Sequence, residues 1–357
     1  MVDTKSQLIA TAAFLTVLLP AGFLVAKKVE AHRAVAAAAA AAMPPVNAPA
    51  PAVAPPPQPV TPTTSERPGT AAAPAEHRFA SRELNATDAE FFAYKFRRPP
   101  VYDMAIGGDS RVGVGISPGE MKNYLGDLRI FNFGFRGLCW TPDYLEALHG
   151  LLDPASTQKA VVMGISPGGL TSVNRTANGF KEMKRKSRLG QLANKAVPTL
   201  VEQGEVPGAL RNGIVYIYHE DGWVGALRKS NEKAMDFIKG KYGEAAVDPR
   251  IVDYLLATVG EWSSAGIKVY AFRTPTRKDI GSFEDDCVSF DEADFRRRFE
   301  ANGGIWLEID NTGLSWRDGH HLDVRSAILF SARLAKAISK AGQADKSHKV
   351  PAAQAHR

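Results

Sequence analysis

Cysteine is almost absent: two residues, Cys139 and Cys287, in a chain of 357. They stand far apart and no histidine cluster accompanies them, so the spacing of a zinc or other metal site is missing. In an oxidising compartment the two can pair; two separate buried thiols is the other reading. The chain also lacks a Walker loop, an RNA-binding aromatic motif and any internal repeat. Charge of one sign does not dominate either. Lys and Arg number 44 against 38 Asp and Glu, a net charge of +6 with a pI of about 9.2. The basic residues are scattered, which suits an anionic surface or a glycan and gives nucleic acid little to hold. No cofactor is implied.

Long apolar runs are missing too, with one exception. Leu8 to Ala26 carries no charge and has about the length, roughly 20 residues, that spans a bilayer as a helix. Signal-peptide cores are shorter, so the run reads as a retained anchor; cleavage after Ala26 is the alternative. Lys27, Lys28 and Arg33 follow the run and Lys5 precedes it. Applied strictly, the positive-inside rule puts the following chain in the cytoplasm. The short tail with Lys5 and the amino group also suits insertion with the tail inside. The expectation taken is a single-pass anchor in the inner membrane, with the folded domain in the periplasm.

Four segments follow from composition: the anchor at 1–33, an Ala/Pro-rich spacer at 34–75, a folded domain at 76–341 and a basic, disordered tail at 342–357. The spacer holds too much proline to fold compactly and should behave as an extended, semi-rigid tether. The domain is the right size for one core.

Within the domain, apolar runs alternate with helical patterns. YDMAIGG ends at Gly108, LRIFNFGF spans Leu128–Phe135, KAVVMGI spans Lys159–Ile165, IKVYAF spans Ile267–Phe272 and IWLEID spans Ile305–Asp310. Continuous rather than alternating runs suit buried parallel strands. Thr141-Pro142 opens a helix expected to reach Leu152, Asp248-Pro249 opens one ending near Gly266, and a last helix covers Asp323–Lys340. The fold class is therefore α/β: an open parallel sheet, helices on both faces, three-layered and flavodoxin-like. Residues 168–248 are less regular and read as an insertion near the site, with Asn212–Trp223 as a strand or hairpin arm.

Sites in such sheets gather at the carboxyl ends of the strands. Ser110 sits at one such end, in GGDSR. A serine nucleophile needs a base and a group to orient the base. SWRDGHHLD, between the last strand and the last helix, offers both. Asp318 and His321 are spaced so that the carboxylate can hold one ring nitrogen while the other faces a serine.

GGDSR near the start of the domain and Asp-x-x-His before the last helix resemble the SGNH (GDSL) hydrolase superfamily. GDSRVGVGISPGEM, IFNFGFRG, VVMGISPGGL, GIKVYAFRTP and RDGHHLD, in that order, resemble more narrowly its membrane-anchored branch of alginate O-acetylation proteins and polysaccharide acetylation factors. The resemblance implies an SGNH-like fold, with Ser110 as nucleophile, His321 as base and Asp318 as its partner. It implies an oxyanion amide at Gly134 or Gly137. The family's third block is Gly-x-Asn, and here Ser166 stands where the oxyanion-binding asparagine would be; Ser166 or a backbone amide substitutes as donor, or the enzyme is slower or the site works differently. It further implies acyl-ester chemistry, esterase or O-acyltransferase, on an envelope or exported polysaccharide, and for a transferase a polytopic membrane acyltransferase as partner. A rival of another class is a non-catalytic glycan-binding or scaffold subunit of a polysaccharide export machine, motivated by Ser166.

Other residues have expectations attached. Arg111 is structural or lies near an anionic substrate, and Asn132 or Arg136 touches substrate or packs. His320 faces solvent or substrate, and Lys181–Arg188 is a solvated basic face or a contact for a glycan or lipid headgroup. Phe295–Phe299 lies on the exposed side of a helix. The tryptophans are core, with Trp223 and Trp316 available to stack on a sugar ring.

Overall fold

The computed structural model describes residues 81–176, 178–185, 209–211, 214–227, 234–243 and 245–348. The expected anchor, the spacer, residues 186–188 of the basic run and the chain from 349 lie outside the described residues. Among the described residues, no helix is long and apolar enough to cross a membrane.

The chain enters through a short strand β1 (Glu83–Leu84) and helix α1 (Asp88–Phe96). Next come β2 (Met104–Gly108), α2 (Ser110–Gly115), α3 (Pro118–Leu125), β3 (Ile130–Asn132), α4 (Pro142–His149) and β4 (Ala160–Ile165). The irregular middle region carries β5 (Ala209–Arg211), β6 (Ile214–His219), β7 (Val224–Leu227) and α5 (Ala234–Tyr242). The remainder is α6 (Pro249–Ser264), β8 (Lys268–Arg273), α7 (Lys278–Val288), α8 (Glu292–Ala301), β9 (Ile305–Trp306) and α9 (Val324–His348).

Five strands form one parallel sheet in the order β3-β2-β4-β8-β9. The period of two divides its side chains between two cores. Ala105, Val161, Met163, Val269 and Ala271 face one side, packed with Phe91 and Tyr144 and with Leu255 and Val259 of α6. Met104, Ile106, Val162, Tyr270 and Phe272 face the other, against Met121 of α3 and Ala327, Phe330 and Leu334 of α9. Both faces are covered, as the continuous apolar runs require. The chain leaves β2 to form β3 on one side and then crosses to β4 on the other. The end of β2 is therefore the point where the winding reverses, and a crevice opens there.

Several boundaries differ from the sequence reading. The helix begun at Thr141-Pro142 ends at His149, with Gly150 as its cap. The last strand shrinks to Ile305–Trp306, because beyond Leu307 the chain turns into exposed polar residues and leaves the sheet edge. The last helix runs past Lys340 to His348. The middle region holds an antiparallel sheet, β1-β6-β5 with β7 also on β6, so residues 214–223 of the expected arm form β6 and its turn, while 212 and 213 lie outside the described residues. Cys139 and Cys287 are both free. In α8 the FRRRF run divides: Phe295 and Phe299 are buried in the core, while the arginines between them face outward.

Helix α1 buries a charge-bearing group beside the β2 crevice. Thr87 and Glu90 close a capping box at its start, satisfying two backbone donors. At its other end Lys95 is fully buried. Its Nζ donates to the Gly134 carbonyl at 3.0 Å and lies 5.1 Å from the Phe91 ring centroid. Burial pulls the Lys95 pKa down to about 7, partly offset by Asp221. An unfolded lysine keeps its proton to about pH 10.5. Between the two values the unfolded chain binds more protons, so stability rises with pH. Urea midpoints should therefore increase from about pH 7 to about pH 9.5 in wild type, and Lys95→Met should flatten that rise. Equal slopes in both proteins would contradict the assignment.

Candidate active site

Strand β2 ends in a glycine that only glycine satisfies. Gly108 has φ +154°, and a Cβ there would fall 2.3 Å from Val112 Cγ2. The tight exit lets Asp109 cap α2. Its carboxylate accepts from Arg111 N at 2.8 Å, and its carbonyl accepts from the Val112 and Gly113 amides. Ser110 is thereby the first residue of α2, with its side chain lining a cavity of about 650 Å³.

The loop before α9 reaches the same cavity. Asp318 Oδ1 accepts from the backbone amides of His320 (3.2 Å) and His321 (2.8 Å). Its Oδ2 is 2.7 Å from His321 Nδ1, and His321 Nε2 is 2.8 Å from Ser110 Oγ. Three residues distant in sequence thus form one hydrogen-bonded chain. Burial alone would raise the Asp318 carboxyl. The His321 hydrogen bond and the charges of His321, His320 and Arg317 outweigh burial and hold the carboxyl well below the usual range.

Beneath Ser110 lies a second buried group. Arg111 Nε and Nη2 bond Asp109 Oδ2 at 3.0 and 2.9 Å, and Nη1 and Nη2 take Glu284 at 2.7 and 2.9 Å. Thr276 Oγ1 accepts from Nη1 at 3.3 Å. The Arg111 and Glu284 side chains are only 6% and 1% exposed. Burial would raise the Asp109 carboxyl, but the Arg111 charge and hydrogen bonds from Arg111 and Ser166 bring it to about 2. Arg111 is therefore structural: its fork is filled by two carboxylates and a hydroxyl, leaving no donor for a substrate.

The same network corrects the expectation for Ser166. Its Oγ donates to Asp109 Oδ2 at 2.8 Å and the residue is 1% exposed. It points beneath the serine and offers no donor to the cavity. The amides of Gly134 and Gly137 differ in what they bond. The Gly134 amide donates to Asn132 Oδ1 at 2.9 Å. The Gly137 amide has no partner among the described residues, and φ +55° turns the chain there on the cavity wall. Gly134 serves as spacing: a Cβ would lie 2.4 Å from Gly113 N, so only glycine lets this loop touch α2.

Asn132, wholly buried, donates to the Val112 and Ile116 carbonyls, both at 2.8 Å. It clamps α2 and does not reach substrate. Arg136 lines the cavity and pairs with Asp88 at 3.3 Å. Trp223 is not a free stacking platform. It is buried, stacks on His219 at 4.5 Å and donates to the Val114 carbonyl at 2.7 Å. Trp316 is half-buried, tied to Leu322 by a backbone bridge, with its Nε1 shielded from solvent.

Sequence reasoning missed Lys95, Tyr144, Phe237 and Glu284. Tyr144 accepts from the Gly108 amide at 2.9 Å and donates to the Phe133 carbonyl at 3.0 Å, tying two strand ends together. None of the four sits in a local motif; each reaches the site from a helix distant in sequence. Among the described residues, Asp318, His320 and His321 form the one grouping tight enough to be a metal ligand set, with ligand atoms within 4.8 Å. His321 already spends both ring nitrogens, so an ion there would break the chain to Ser110.

No family model and no curated protein matches the sequence. Among solved structures, the fold overlaps a "putative acylhydrolase" from Bacteroides fragilis at 12% identity and TM-score 0.32, covering 70% of this chain and 93% of that one. It also overlaps a "putative platelet activating factor" from Streptococcus pneumonia at 11% identity and TM-score 0.33, covering 71% and 89%. Overlaps this loose carry no argument about activity, which rests on the geometry above.

Two expected outcomes follow. Glu284→Ala leaves Arg111 partly uncompensated and should cost about 3–5 kcal/mol by urea denaturation. Ser166→Ala should cost about 1 kcal/mol of stability in the same measurement; an unchanged midpoint would contradict the hydrogen bond to Asp109.

Proposed function

We propose that this protein is a serine esterase or O-acyltransferase of SGNH type. One observation carries the reading: the unbroken hydrogen-bonded chain Asp318–His321–Ser110, opening on a cavity. Backbone amides set its first member, the imidazole is oriented through Nδ1, and Nε2 meets the hydroxyl at bonding distance.

Ser110 Oγ attacks the carbonyl carbon of an acyl ester as its proton passes to His321 Nε2. Asp318 keeps the second ring proton on Nδ1 and stabilises the imidazolium that forms. The oxyanion meets backbone donors, the Gly137 amide and the amide of Ser110 at the start of α2. With Ser166 turned to Asp109, no third-block side chain adds to them. His321 then protonates the leaving alcohol, and the acyl group remains on Ser110. Water or a hydroxyl-bearing acceptor enters next, gives its proton to His321 and releases the acyl group as acid or new ester.

The rest of the chain supports a location for this chemistry. The uncharged run Leu8–Ala26 and the Pro/Ala spacer suit a domain tethered to the inner membrane and held off it in the periplasm. The acceptor or substrate would then be an envelope or exported polysaccharide. A transferase would draw its acyl groups from a polytopic membrane acyltransferase.

Full-length protein should hydrolyse p-nitrophenyl acetate, with Ser110→Ala and His321→Ala each slower by about 10³-fold or more. A fluorophosphonate probe should label wild type and spare Ser110→Ala. Equal turnover in all three proteins with no labelling would leave the scaffold reading in its place.

A further inference from the structure

Two imidazoles stand side by side at the cavity, and the chemistry above uses one. The ring centroids of His320 and His321 are 4.1 Å apart, and both rings line the cavity with Ser110. His321 has both nitrogens engaged. His320 does not. Its Nδ1 is buried, without a hydrogen bond, 3.8 Å from Asp318 Oδ1. Its Nε2 has no hydrogen-bond partner among the described residues and is not one of the enclosed polar atoms, and the residue lines the cavity.

The ring is held neutral and in place. Burial, with the charges of His321 and Arg111, lowers its pKa to about 3. The carboxylate beside Nδ1 draws the remaining proton to that nitrogen, so Nε2 presents a lone pair. One ring face lies parallel to Phe237, centroids 5.9 Å apart and planes 9° from parallel. The His320 amide is pinned to Asp318. Phe237 also lines the cavity and stays 53% exposed, an apolar ring beside His320. Once Ser110 carries an acyl group it has no proton for His321, whose Nε2 becomes a second acceptor.

We infer that His320 and Phe237 form an acceptor subsite for a compound with hydroxyls on adjacent carbons. A hydroxyl has one hydrogen to give. Two neighbouring acceptor nitrogens therefore need two neighbouring hydroxyls. One donates to His321 Nε2 and attacks; the next donates to His320 Nε2; the C–H face of the same molecule lies on Phe237. Water can satisfy both nitrogens but gains nothing from the phenyl ring. The inference rests on Ser110 acting as nucleophile. The acceptor oxygen bonds to the acyl carbon as its proton passes to His321. The acyl carbon–Oγ bond of Ser110 then breaks, and Oγ takes that proton back.

The test uses full-length protein, p-nitrophenyl acetate as acyl donor, and ethylene glycol, 1,3-propanediol and ethanol competing at equal concentration. Monoacetate products are quantified by mass spectrometry, normalised per hydroxyl. Wild type should favour ethylene glycol over the other two by about fivefold, the worth of one hydrogen bond. His320→Phe keeps an aromatic ring on Phe237 but loses the acceptor, and should bring the ratio near one. His320→Gln retains an acceptor oxygen and should recover part of the preference. A wild-type ratio near one, a preference that survives His320→Phe, or no monoacetate from any alcohol overturns the subsite. The wild-type ratio decides even if a variant does not fold. Fluorophosphonate labelling in parallel separates the two readings: an unlabelled wild type removes the nucleophile itself, while a labelled one without glycol preference removes only the acceptor subsite.

Discussion

Everything at this site hangs on a buried guanidinium. Arg111 fills its donor fork with Asp109 and Glu284 and touches Thr276. An isolated charge so deep is prohibitive; with partners on both sides it becomes a rigid joint. The joint fastens α7, through Glu284, to the residue that follows Ser110. It also fixes Asp109, the cap that starts α2 and so sets where the serine stands. Ser166 adds its hydroxyl to the same carboxylate. The end of β4 is thus bound to the end of β2 by polar contacts as well as by the sheet ladder.

That joint explains a trade at the third block. An asparagine in place of Ser166 would be a candidate oxyanion donor. The serine instead is short enough to turn down onto Asp109, where it helps hold that carboxylate ionised. In the proposed reaction oxyanion stabilisation falls to backbone amides, whose positions depend on loops. The loop after β3 is correspondingly well fastened. Asn132 bonds two carbonyls of α2's last turns, Lys95 holds the Gly134 carbonyl, and Tyr144 joins Gly108 to Phe133. Gly134 lets the loop come within backbone contact of α2.

The polar groups around Ser110 include two sets. Arg111, Asp109, Glu284 and Ser166 are mutually satisfied and face inward. Ser110, His321, His320 and Gly137 line the cavity, and among the described residues His320 Nε2 and the Gly137 amide have no hydrogen-bond partner. A site built this way binds through the groups it leaves open, while its positions are set by the groups it closes off.

Local pattern was enough for much of this. Continuous apolar runs mark four of the five sheet strands to within a few residues, because burial on both faces needs them. Asp-Pro and Thr-Pro mark helix starts, because proline's missing donor is harmless there. Ser110, Asp318 and His321 stood out because a strand end and an Asp-x-x-His spacing are local features. The length of β9, the antiparallel sheet beside the main one and the residues that fix the loops were not readable in this way. Nor were the pairing of the Gly134 amide with Asn132, of Ser166 with Asp109 and of Trp223 with His219 and Val114. Each depends on which partner a side chain or amide finds across the fold, and a hydrogen bond between groups distant in sequence leaves no periodicity to read. The sequence alone determined the sheet, its helices and the three residues of the chain to Ser110; the tertiary structure decided which polar groups are spent holding them and which remain free to meet a substrate.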